Sequence, residues 1–326
     1  MKAILIEAPG DERVLQIGEA PDPVLGPRDL RVRVVATAVN RADLMQRQGL
    51  YPPPPGASPI LGLECAGEVI EVGGEVTGWK VGERAMALLA GGGYAEQVVV
   101  PAVCVMRVPE RFSWEEAAAT PEVFLTVWLN VFELGALPEG GTVLVHGGGS
   151  GIGTATLQLV REAGGRVFVT AGSEEKCRLC RDLGAALAVN YKTQDFAAEV
   201  RAATTGRGVD VVLDSIGASY LAQNLASLGM GGRLVLIGLM GGAKAEIGLA
   251  ELLLRRLHVI GSTLRSRPVE EKGGIVARFE RRFGPALAAG RVRPVVDRVL
   301  PLAQAADAHR AMKASEHFGK IVLRVA

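Results

Sequence analysis

A glycine-rich corner between a short apolar run and a helix-like stretch constrains this chain more than any other feature. Five glycines fall within residues 147–153, directly after the apolar residues 142–146 and before the helical pattern of residues 154–162. Glycines let the backbone turn sharply and approach phosphates, and the first N–H groups of a helix are unpaired donors at the positive end of its dipole. The corner therefore predicts a pyrophosphate site for a dinucleotide, held by Gly148, Gly149, Ser150, Gly151, Ile152 and Gly153.

Ser150 interrupts a strict GxGxxG motif, so the spacing of the glycines does not by itself establish a dinucleotide site. The sequence around the corner supports the prediction. Apolar segments recur after it, with helix-length segments between most of them, at residues 166–170, 186–190, 209–214, 233–238 and 257–262. Six strands in a βαβ rhythm predict an α/β fold with a doubly wound, six-stranded parallel sheet buried on both faces.

The segments on either side of this pattern are different. Before residue 120, short strands alternate with Gly- and Pro-rich corners at residues 31–38, 66–72, 84–89 and 95–100. After the sixth strand, helical patterns at 270–282 and 302–314 precede a strand-like segment at 319–323. We therefore expect a β-rich catalytic domain made of residues 1–122 and 265–326, a dinucleotide domain of residues 123–264, and an active cleft between them.

Composition excludes several classes of partner. The 326 residues carry a net charge of +1, so no basic excess indicates a nucleic acid or an anionic membrane. No run of 18 uncharged apolar residues is present, and the first residues lack the pattern of a signal peptide, so we expect a cytoplasmic protein without a membrane span. Cys177 and Cys180 form a CxxC inside a predicted helix with no second pair nearby, which favours ordinary reduced thiols.

The end of the second predicted strand indicates the cofactor. Domains that bind NAD usually place an Asp or Glu there to bind the ribose hydroxyls. Here residues 170–173 read Thr-Ala-Gly-Ser, and Ser173 can donate a hydrogen bond to a 2′-phosphate, which favours NADPH. The alternative stays open, because Glu174 and Glu175 make Ser173 a good helix cap and could disfavour a phosphate.

Several further motifs together carry a family resemblance. They are AVNRAD at 38–43, GLYPPPPG at 49–56, LGLE at 61–64, HGGGSGIG at 146–153 and GLMGG at 238–242. With them the chain resembles, essentially from end to end, the zinc-free quinone oxidoreductases of the medium-chain dehydrogenase/reductase superfamily, in the p53-inducible branch related to zeta-crystallin. The resemblance implies a GroES-like catalytic domain, a Rossmann domain, NADPH and a homodimer, which we expect to pair through residues 257–262.

The resemblance also implies further residues at the cofactor. Lys176 and Tyr191 match the positions that hold the 2′-phosphate, together with Ser173. The loop after the fifth strand is expected to lie against the nicotinamide. The remaining cofactor residues implied by the resemblance are Thr126, Gly238, Leu239, Met240, Ser262 and Lys320, and Arg265 is expected to steer a substrate or to pair structurally.

Compared with zinc-dependent members of the superfamily, two metal ligands are replaced. Asn40 stands where those enzymes have a Cys, and Leu63 stands where they have a His. The cysteines of the structural zinc lobe are absent too, since residues 88–94 read LLAGGGY. We therefore expect no metal. Alcohol oxidation in this superfamily relies on a Lewis acid, so zinc-free chemistry needs an easier acceptor, such as a quinone held face to face with the nicotinamide.

Three polar residues match the substrate side of the family: Asn40, Asp43 and Tyr51. The Asn40 amide could donate a hydrogen bond to a quinone oxygen, and the Tyr51 hydroxyl could polarise or protonate it. Asp43 has an alternative role in organising the backbone near Arg41. Met45 stands where other quinone reductases have a second Tyr, so a proton donor is not expected there.

These observations predict NADPH-dependent reduction of a small-molecule quinone, by hydride or by single electrons. Two alternatives remain. The first is reduction of a conjugated double bond in a 2-alkenal or an enoyl thioester, with Tyr51 as the proton donor. The second is a non-catalytic NADPH-binding protein with a structural or RNA-binding role, against which the near-neutral charge argues.

Overall fold

The structure, a computed structural model, describes residues 1–325 and divides into two compact units. The central unit is residues Thr126–Thr263, and the flanking unit is residues Met1–Leu125 together with the chain from Leu264 onward. The flanking unit is thus built from both ends of the sequence. The boundaries expected from the sequence, after residues 122 and 264, remain a prediction for domains that fold independently.

The strands of residues 1–325 form three sheets, one of two strands, one of six and one of seven. In chain order they are β1 (Lys2–Leu5), β2 (Gln16–Glu19), β3 (Asp29–Ala38), β4 (Glu64–Val72), β5 (Arg84–Leu88), β6 (Gln97–Pro101), β7 (Val105–Arg107), β8 (Thr142–His146), β9 (Arg166–Ala171), β10 (Leu187–Asn190), β11 (Val209–Asp214), β12 (Leu228–Leu236), β13 (His258–Gly261), β14 (Val296–Pro301) and β15 (Lys320–Arg324).

The α-helices lie between these strands. They are α1 (Arg41–Arg47), α2 (Trp114–Ala118), α3 (Pro121–Val127), α4 (Gly151–Glu162), α5 (Glu174–Asp182), α6 (Phe196–Ala203), α7 (Leu221–Ser227), α8 (Leu249–Arg255), α9 (Val269–Ala288) and α10 (Ala305–Ala314). A π-helical segment, Trp128–Leu134, continues α3.

The central unit is a doubly wound parallel sheet. Its strands are ordered β10-β9-β8-β11-β12-β13, so the chain starts in the middle, winds to one edge and then to the other. Every residue of β8 is buried, as expected for a strand covered on both faces by helices. The α/β class and the six-stranded sheet predicted from the sequence are confirmed.

The flanking unit is organised around the long strand β3. This strand pairs antiparallel with β4, β6 and β15, in a sheet ordered β14-β15-β3-β4-β5-β7. Alternate residues of β3 point into one apolar core, which includes Leu30, Val32 and Val34. The sheet is therefore completed by a strand from the C-terminal end of the chain.

The register of these strands positions three polar residues. Val322 of β15 pairs with Ala38 of β3, and Val39 N–H donates to the carbonyl of Ile321, so Lys320 lies opposite Asn40. Thr37 of β3 pairs with Cys65 of β4, which places Glu64 beside the end of β3. An antiparallel register thus converts distant sequence positions into neighbours.

The sequence patterns placed the main elements well and missed some short ones. The strand expected at 319–323 is β15, and the helices expected at 270–282 and 302–314 are α9 and α10. Strand β14 is missed, because its burial is mixed and it lacks apolar alternation. No helix among residues 1–325 is long and apolar enough to cross a membrane.

Candidate active site

Lys320, Asn40 and Glu64 form a buried polar cluster where β15, β3 and β4 meet. The Lys320 ammonium donates to Glu64 Oε1 at 2.7 Å, to Asn40 Oδ1 at 2.7 Å and to the Val39 carbonyl at 3.1 Å. The Lys320 side chain is 3% exposed and that of Glu64 is 0% exposed. The ammonium hydrogens of Lys320 thus have three protein acceptors. The contact with the cofactor that the resemblance implies for Lys320 requires the cofactor to replace one of these acceptors.

The amide of Asn40 is fully engaged within this cluster. Its Nδ2 donates to Glu64 Oε1 at 2.9 Å and to the Ala38 carbonyl at 3.2 Å, while Oδ1 accepts from Lys320. Both amide hydrogens therefore have protein acceptors, and the hydrogen bond to a quinone oxygen predicted for Asn40 needs one of them to be released. The structure gives Asn40 the geometry of a residue that holds its neighbours in place.

Asp43 organises the backbone around the start of α1. Its carboxylate accepts from the N–H of Asn40 at 2.7 Å and from the N–H of Gly62 at 3.1 Å, and the side chain is fully buried. Burial raises the pKa of the Asp43 carboxyl to about 6, although the two backbone N–H groups oppose the rise. Of the two roles considered for Asp43, these contacts are those of the organising one.

Within the flanking unit, a series of buried polar contacts runs from Asp43 to Tyr94, His309 and Arg47. The Tyr94 hydroxyl lies 3.5 Å from Asp43 Oδ2 and 3.2 Å from His309 Nε2, and His309 Nδ1 lies 3.4 Å from Arg47 Nη1. Burial lowers the pKa of His309 to about 3, and the charge of Arg47 adds to this effect. A neutral His309 can then accept a hydrogen bond from Arg47.

Tyr51 is half-buried and lies against a cation. The guanidinium carbon of Arg265 is 5.3 Å from the centre of the Tyr51 ring. Arg265 itself is held by the Ala90 carbonyl at 2.8 Å and by Gln46 Oε1 at 2.6 Å. Burial raises the pKa of the Tyr51 hydroxyl, so this phenol keeps its proton at neutral pH and can donate a hydrogen bond.

Glu122 contacts the polar cluster of Lys320, Asn40 and Glu64, although no motif in the sequence indicates this contact. It lies in the first turn of α3, and its backbone N–H donates to Glu64 Oε2 at 2.9 Å. Its own Oε2 atom is buried and has no hydrogen-bond partner among residues 1–325. In the sequence Glu122 resembles any acid in a first helical turn, so nothing local indicates that one of its carboxyl oxygens is buried.

The glycine-rich corner of the central unit has the geometry expected of a phosphate site. Ser150 caps α4, and its hydroxyl accepts from the N–H of Gly153 at 3.1 Å. A Cβ on Gly153 would lie 2.4 Å from the Gly148 carbonyl oxygen, so only glycine lets the helix start this close to the loop. The open N-terminus of α4 fits the pyrophosphate of a dinucleotide.

The corner after β9 brings the predicted 2′-phosphate residues together. Ser173 caps α5 by accepting from the N–H of Lys176 at 3.2 Å, and a Cβ on Gly172 would meet the Tyr191 hydroxyl at 2.8 Å. Glu174 is paired with Arg181 at 3.1 Å. This ion pair offsets one of the two acidic charges that were expected to disfavour a phosphate.

The loops at the carboxyl ends of β11, β12 and β13 lie next to one another. The Met240 N–H donates to the Ser215 carbonyl at 3.2 Å, and the side chains of Leu239 and Met240 are exposed. The Ser262 N–H donates to the Leu236 carbonyl, whereas the buried Ser262 hydroxyl has no hydrogen-bond partner in the described part of the chain. Ligands of doubly wound sheets bind at the carboxyl ends of the strands. The unpaired Ser262 hydroxyl and the exposed Leu239 and Met240 side chains therefore fit a cofactor there.

Two other residues of the central unit, Thr126 and His146, are buried. Thr126 is buried, and its carbonyl accepts from Asn130 Nδ2 at 2.7 Å. His146 ends β8 between Thr170 Oγ1 at 3.1 Å and Asn224 Oδ1 at 2.6 Å, and burial lowers its pKa to about 4. His146 therefore acts as a neutral core residue.

The polar residues of the flanking unit do not fit a zinc site. Leu63, at the position of a zinc-ligating His, is a buried core residue. Asn40 and both oxygens of Glu64 are already occupied by protein donors and acceptors. Among residues 1–325, no group of three or more His, Cys, Asp or Glu side chains is placed to hold a metal ion.

Comparison with known proteins identifies the family. A model described as alcohol dehydrogenase GroES-like domain matches residues 26–110, and one described as zinc-binding dehydrogenase matches residues 151–280. The human synaptic vesicle membrane protein VAT-1 homolog is 33% identical over 96% of this chain and 83% of its own length. This protein belongs to the medium-chain dehydrogenase/reductase superfamily.

Other curated relatives are much longer. A mycocerosic acid synthase-like polyketide synthase of Mycobacterium tuberculosis is 34% identical over 98% of this chain, but the match spans 15% of that protein. The similarity therefore concerns one segment of that protein and not its activity as a whole.

Solved structures with the same fold differ in their described activities. A quinone oxidoreductase of Escherichia coli in complex with NADPH is 26% identical, with a TM-score of 0.89 and 100% of both chains covered. An NAD-dependent alcohol dehydrogenase is 34% identical, with a TM-score of 0.87 and 100% of both chains covered. The CurK enoyl reductase is 26% identical, with a TM-score of 0.88, and covers 100% of this chain and 99% of its own.

The buried ion pair gives a stability prediction. We expect Lys320→Met to lower the free energy of unfolding by about 3 to 5 kcal/mol, because it leaves the Glu64 carboxylate buried without its cation. The double variant Lys320→Met with Glu64→Gln should lose less than the sum of the two single variants. Urea unfolding of all four proteins measures this, and full additivity would show that the two side chains are not coupled.

Proposed function

We propose that this protein is a zinc-independent quinone oxidoreductase that uses NADPH. The flanking unit binds the quinone near Tyr51, and the central unit binds NADPH at the glycine-rich corner. When bound, NADPH supplies a hydride. The observation that carries the proposal is the donor set of the flanking unit, which offers a phenol and buried carboxyl groups in place of a set of metal ligands.

This donor set favours a quinone over an alcohol. Alcohol oxidation generates an alkoxide that a Lewis acid normally stabilises, and the residues here do not fit zinc. A quinone is already electron-poor, so its reduction needs mainly orientation and a proton. The Tyr51 phenol can orient a quinone oxygen by donating a hydrogen bond, which supports this reading over the alcohol dehydrogenase activity of one similar structure.

The cofactor proposal depends on the corner after β9. Residues 170–173 contain no carboxylate that would repel a 2′-phosphate, and Glu174 is paired with Arg181. Ser173, Lys176 and Tyr191 lie around the start of α5 as donors. The E. coli quinone oxidoreductase of similar fold holds NADPH, which agrees with this assignment.

A second candidate is reduction of a conjugated double bond. The similarity to the CurK enoyl reductase favours it, and such a reaction likewise needs a hydride, a proton and no zinc. The two reactions differ in the shape of the acceptor, which is a planar ring in one case and a chain in the other.

We further propose that two copies of this chain pair through the edge strand β13. This strand ends the central sheet and, among the described strands, pairs only with β12. Its Val259 side chain is exposed, and α8 nearby in sequence exposes Leu249, Leu253 and Leu254. An unprotected edge flanked by exposed leucines is suited to pairing with a second copy about a two-fold axis.

A substrate panel tests the reaction. The purified protein should oxidise NADPH rapidly with ortho- and para-quinones and slowly with alkenals and crotonyl thioesters, because the site offers orientation and a proton to a planar acceptor. NADPH absorbance measures both rates. The reverse ranking would establish the second candidate, and bound NADPH without turnover in either set would favour the non-catalytic alternative.

Cofactor choice has its own test. Lys176→Ala should raise the KM for NADPH by roughly 10- to 100-fold, because it removes a charged contact with the 2′-phosphate, and should leave the KM for NADH nearly unchanged. Arg178→Ala, on the same helix and exposed, is the matched control. Equal changes for the two cofactors would contradict a phosphate contact at Lys176.

Oligomeric state tests the edge-strand pairing. Sedimentation equilibrium should give twice the mass of one chain, and Leu253→Glu should give a monomer, since it places a charge in the apolar contact. Val81→Glu, at an exposed position of the flanking unit, should stay dimeric. A monomeric wild type would remove this proposal.

A further inference from the structure

One oxygen of the Glu122 carboxyl group, Oε2, is buried and has no partner among the described residues. This atom is inaccessible to solvent and makes no hydrogen bond with any residue of 1–325. An ionised carboxylate whose buried oxygen accepts no hydrogen bond is unfavourable, whereas a protonated carboxyl group has a hydrogen to donate. The geometry therefore leaves a proton donor whose acceptor is not part of the described protein.

The groups around Glu122 do not offer a free cation. From β4, Glu64 is a second carboxylate; from α1, Asp43 is a third. From β15, Lys320 is already bonded to Glu64, and Arg265 is bonded to Ala90, Gln46 and the Tyr51 backbone. These two cations are therefore engaged elsewhere, so neither of them neutralises an ionised Glu122 directly.

The acidity of Glu122 follows from this environment. Burial, together with the charges of Glu64 and Asp43, raises the pKa of Glu122 to about 8, against opposing effects of Lys320 and Arg265. At neutral pH the group is mostly protonated. It is also a stronger acid than a phenol, whose pKa is about 10, and a carboxyl group with a pKa near the working pH is well suited to proton donation.

We propose that Glu122 is the general acid that protonates the reduced quinone, an inference that rests on the proposed quinone reductase function. The Glu122 backbone contacts Glu64, which in turn bonds Asn40, and the charge of Glu122 contributes to raising the pKa of the Tyr51 hydroxyl. Tyr51 orients the quinone by a hydrogen bond and keeps its own proton. The catalytic set of the flanking unit is then Tyr51 and Glu122, with Asn40, Glu64 and Lys320 as positioning residues.

The reaction balances with this assignment. The quinone takes up a hydride, which carries two electrons and one proton, and becomes a hydroquinone monoanion. The oxygen that carries the negative charge then takes the proton from the Glu122 carboxyl group. A new O–H bond forms on the hydroquinone, the O–H bond of Glu122 breaks, and water returns a proton to the carboxylate before the next turnover.

Glu122→Gln tests the inference, because glutamine keeps the size of the side chain and has no acidic proton. We expect kcat with a para-quinone to fall by roughly 10- to 100-fold. In the wild type kcat should fall as the pH rises through about 8, the pKa of Glu122, since only the protonated form donates. This descending limb should be absent in Glu122→Gln, and the KM for NADPH should not change.

Two measurements separate proton donation from a structural role. The loss in Glu122→Gln should be smaller for quinones whose hydroquinones are more acidic, because their anions need the donated proton less. The infrared absorption of a protonated buried carboxyl group should disappear in the wild type near pH 8 and be missing from Glu122→Gln. The matched control is Glu110→Gln, an exposed position of the same unit, which should match the wild type in every measurement.

The outcomes distinguish this inference from the function on which it rests. A wild type without quinone turnover would overturn the proposed function and the inference together. A wild type with quinone turnover whose pH profile and kcat survive in Glu122→Gln would overturn the inference alone. Loss of the descending limb of the pH profile in Tyr51→Phe but not in Glu122→Gln would likewise overturn the inference alone.

Discussion

The buried contact between the Lys320 ammonium and the Glu64 carboxylate holds the polar part of the flanking unit together. The two residues are 256 positions apart in the chain and 2.7 Å apart in the structure. Through it, the last strand is fastened to the sheet next to the end of β3, and the Asn40 amide is fixed between its two neighbours. The second Glu64 oxygen accepts from the backbone of Glu122, so α3 also depends on this ion pair.

The charges of this cluster affect both the stability of the fold and the acidity of its carboxyl groups. Three carboxyl groups, those of Asp43, Glu64 and Glu122, lie near one ammonium and one guanidinium group. Glu64 takes the ammonium, and Asp43 takes backbone N–H donors, which leaves Glu122 as the group most readily held in its protonated form. Burying carboxyl groups beside one another raises the pKa of at least one of them, which suits the proton that the proposed reduction of a quinone requires.

The two units use different physical means. The central unit relies on backbone geometry: a tight glycine corner, helix N-termini capped by Ser150 and Ser173, and a neutral His146 that ends β8. The flanking unit relies on buried side chains whose protonation depends on their neighbours. Backbone features of the first kind leave a local mark on the sequence, whereas the second kind depends on contacts between distant residues.

The sequence by itself determined the sheet of the central unit, its glycine corner and the absence of an acid after β9, because strand periodicity, glycine spacing and turn residues are local properties. It also selected Asn40, Asp43 and Tyr51, through motifs that lie close together in the chain. Only the tertiary structure decided what surrounds those residues. The register of β15 on β3 engages Lys320 and Asn40 with each other. The contact between the start of α3 and Glu64 of β4 places Glu122, an ordinary first-turn acid in the sequence, where burial raises the pKa of its carboxyl group. Such pairings join residues far apart in sequence, and burial is a property of the packed chain, so neither could be predicted from the order of the amino acids alone.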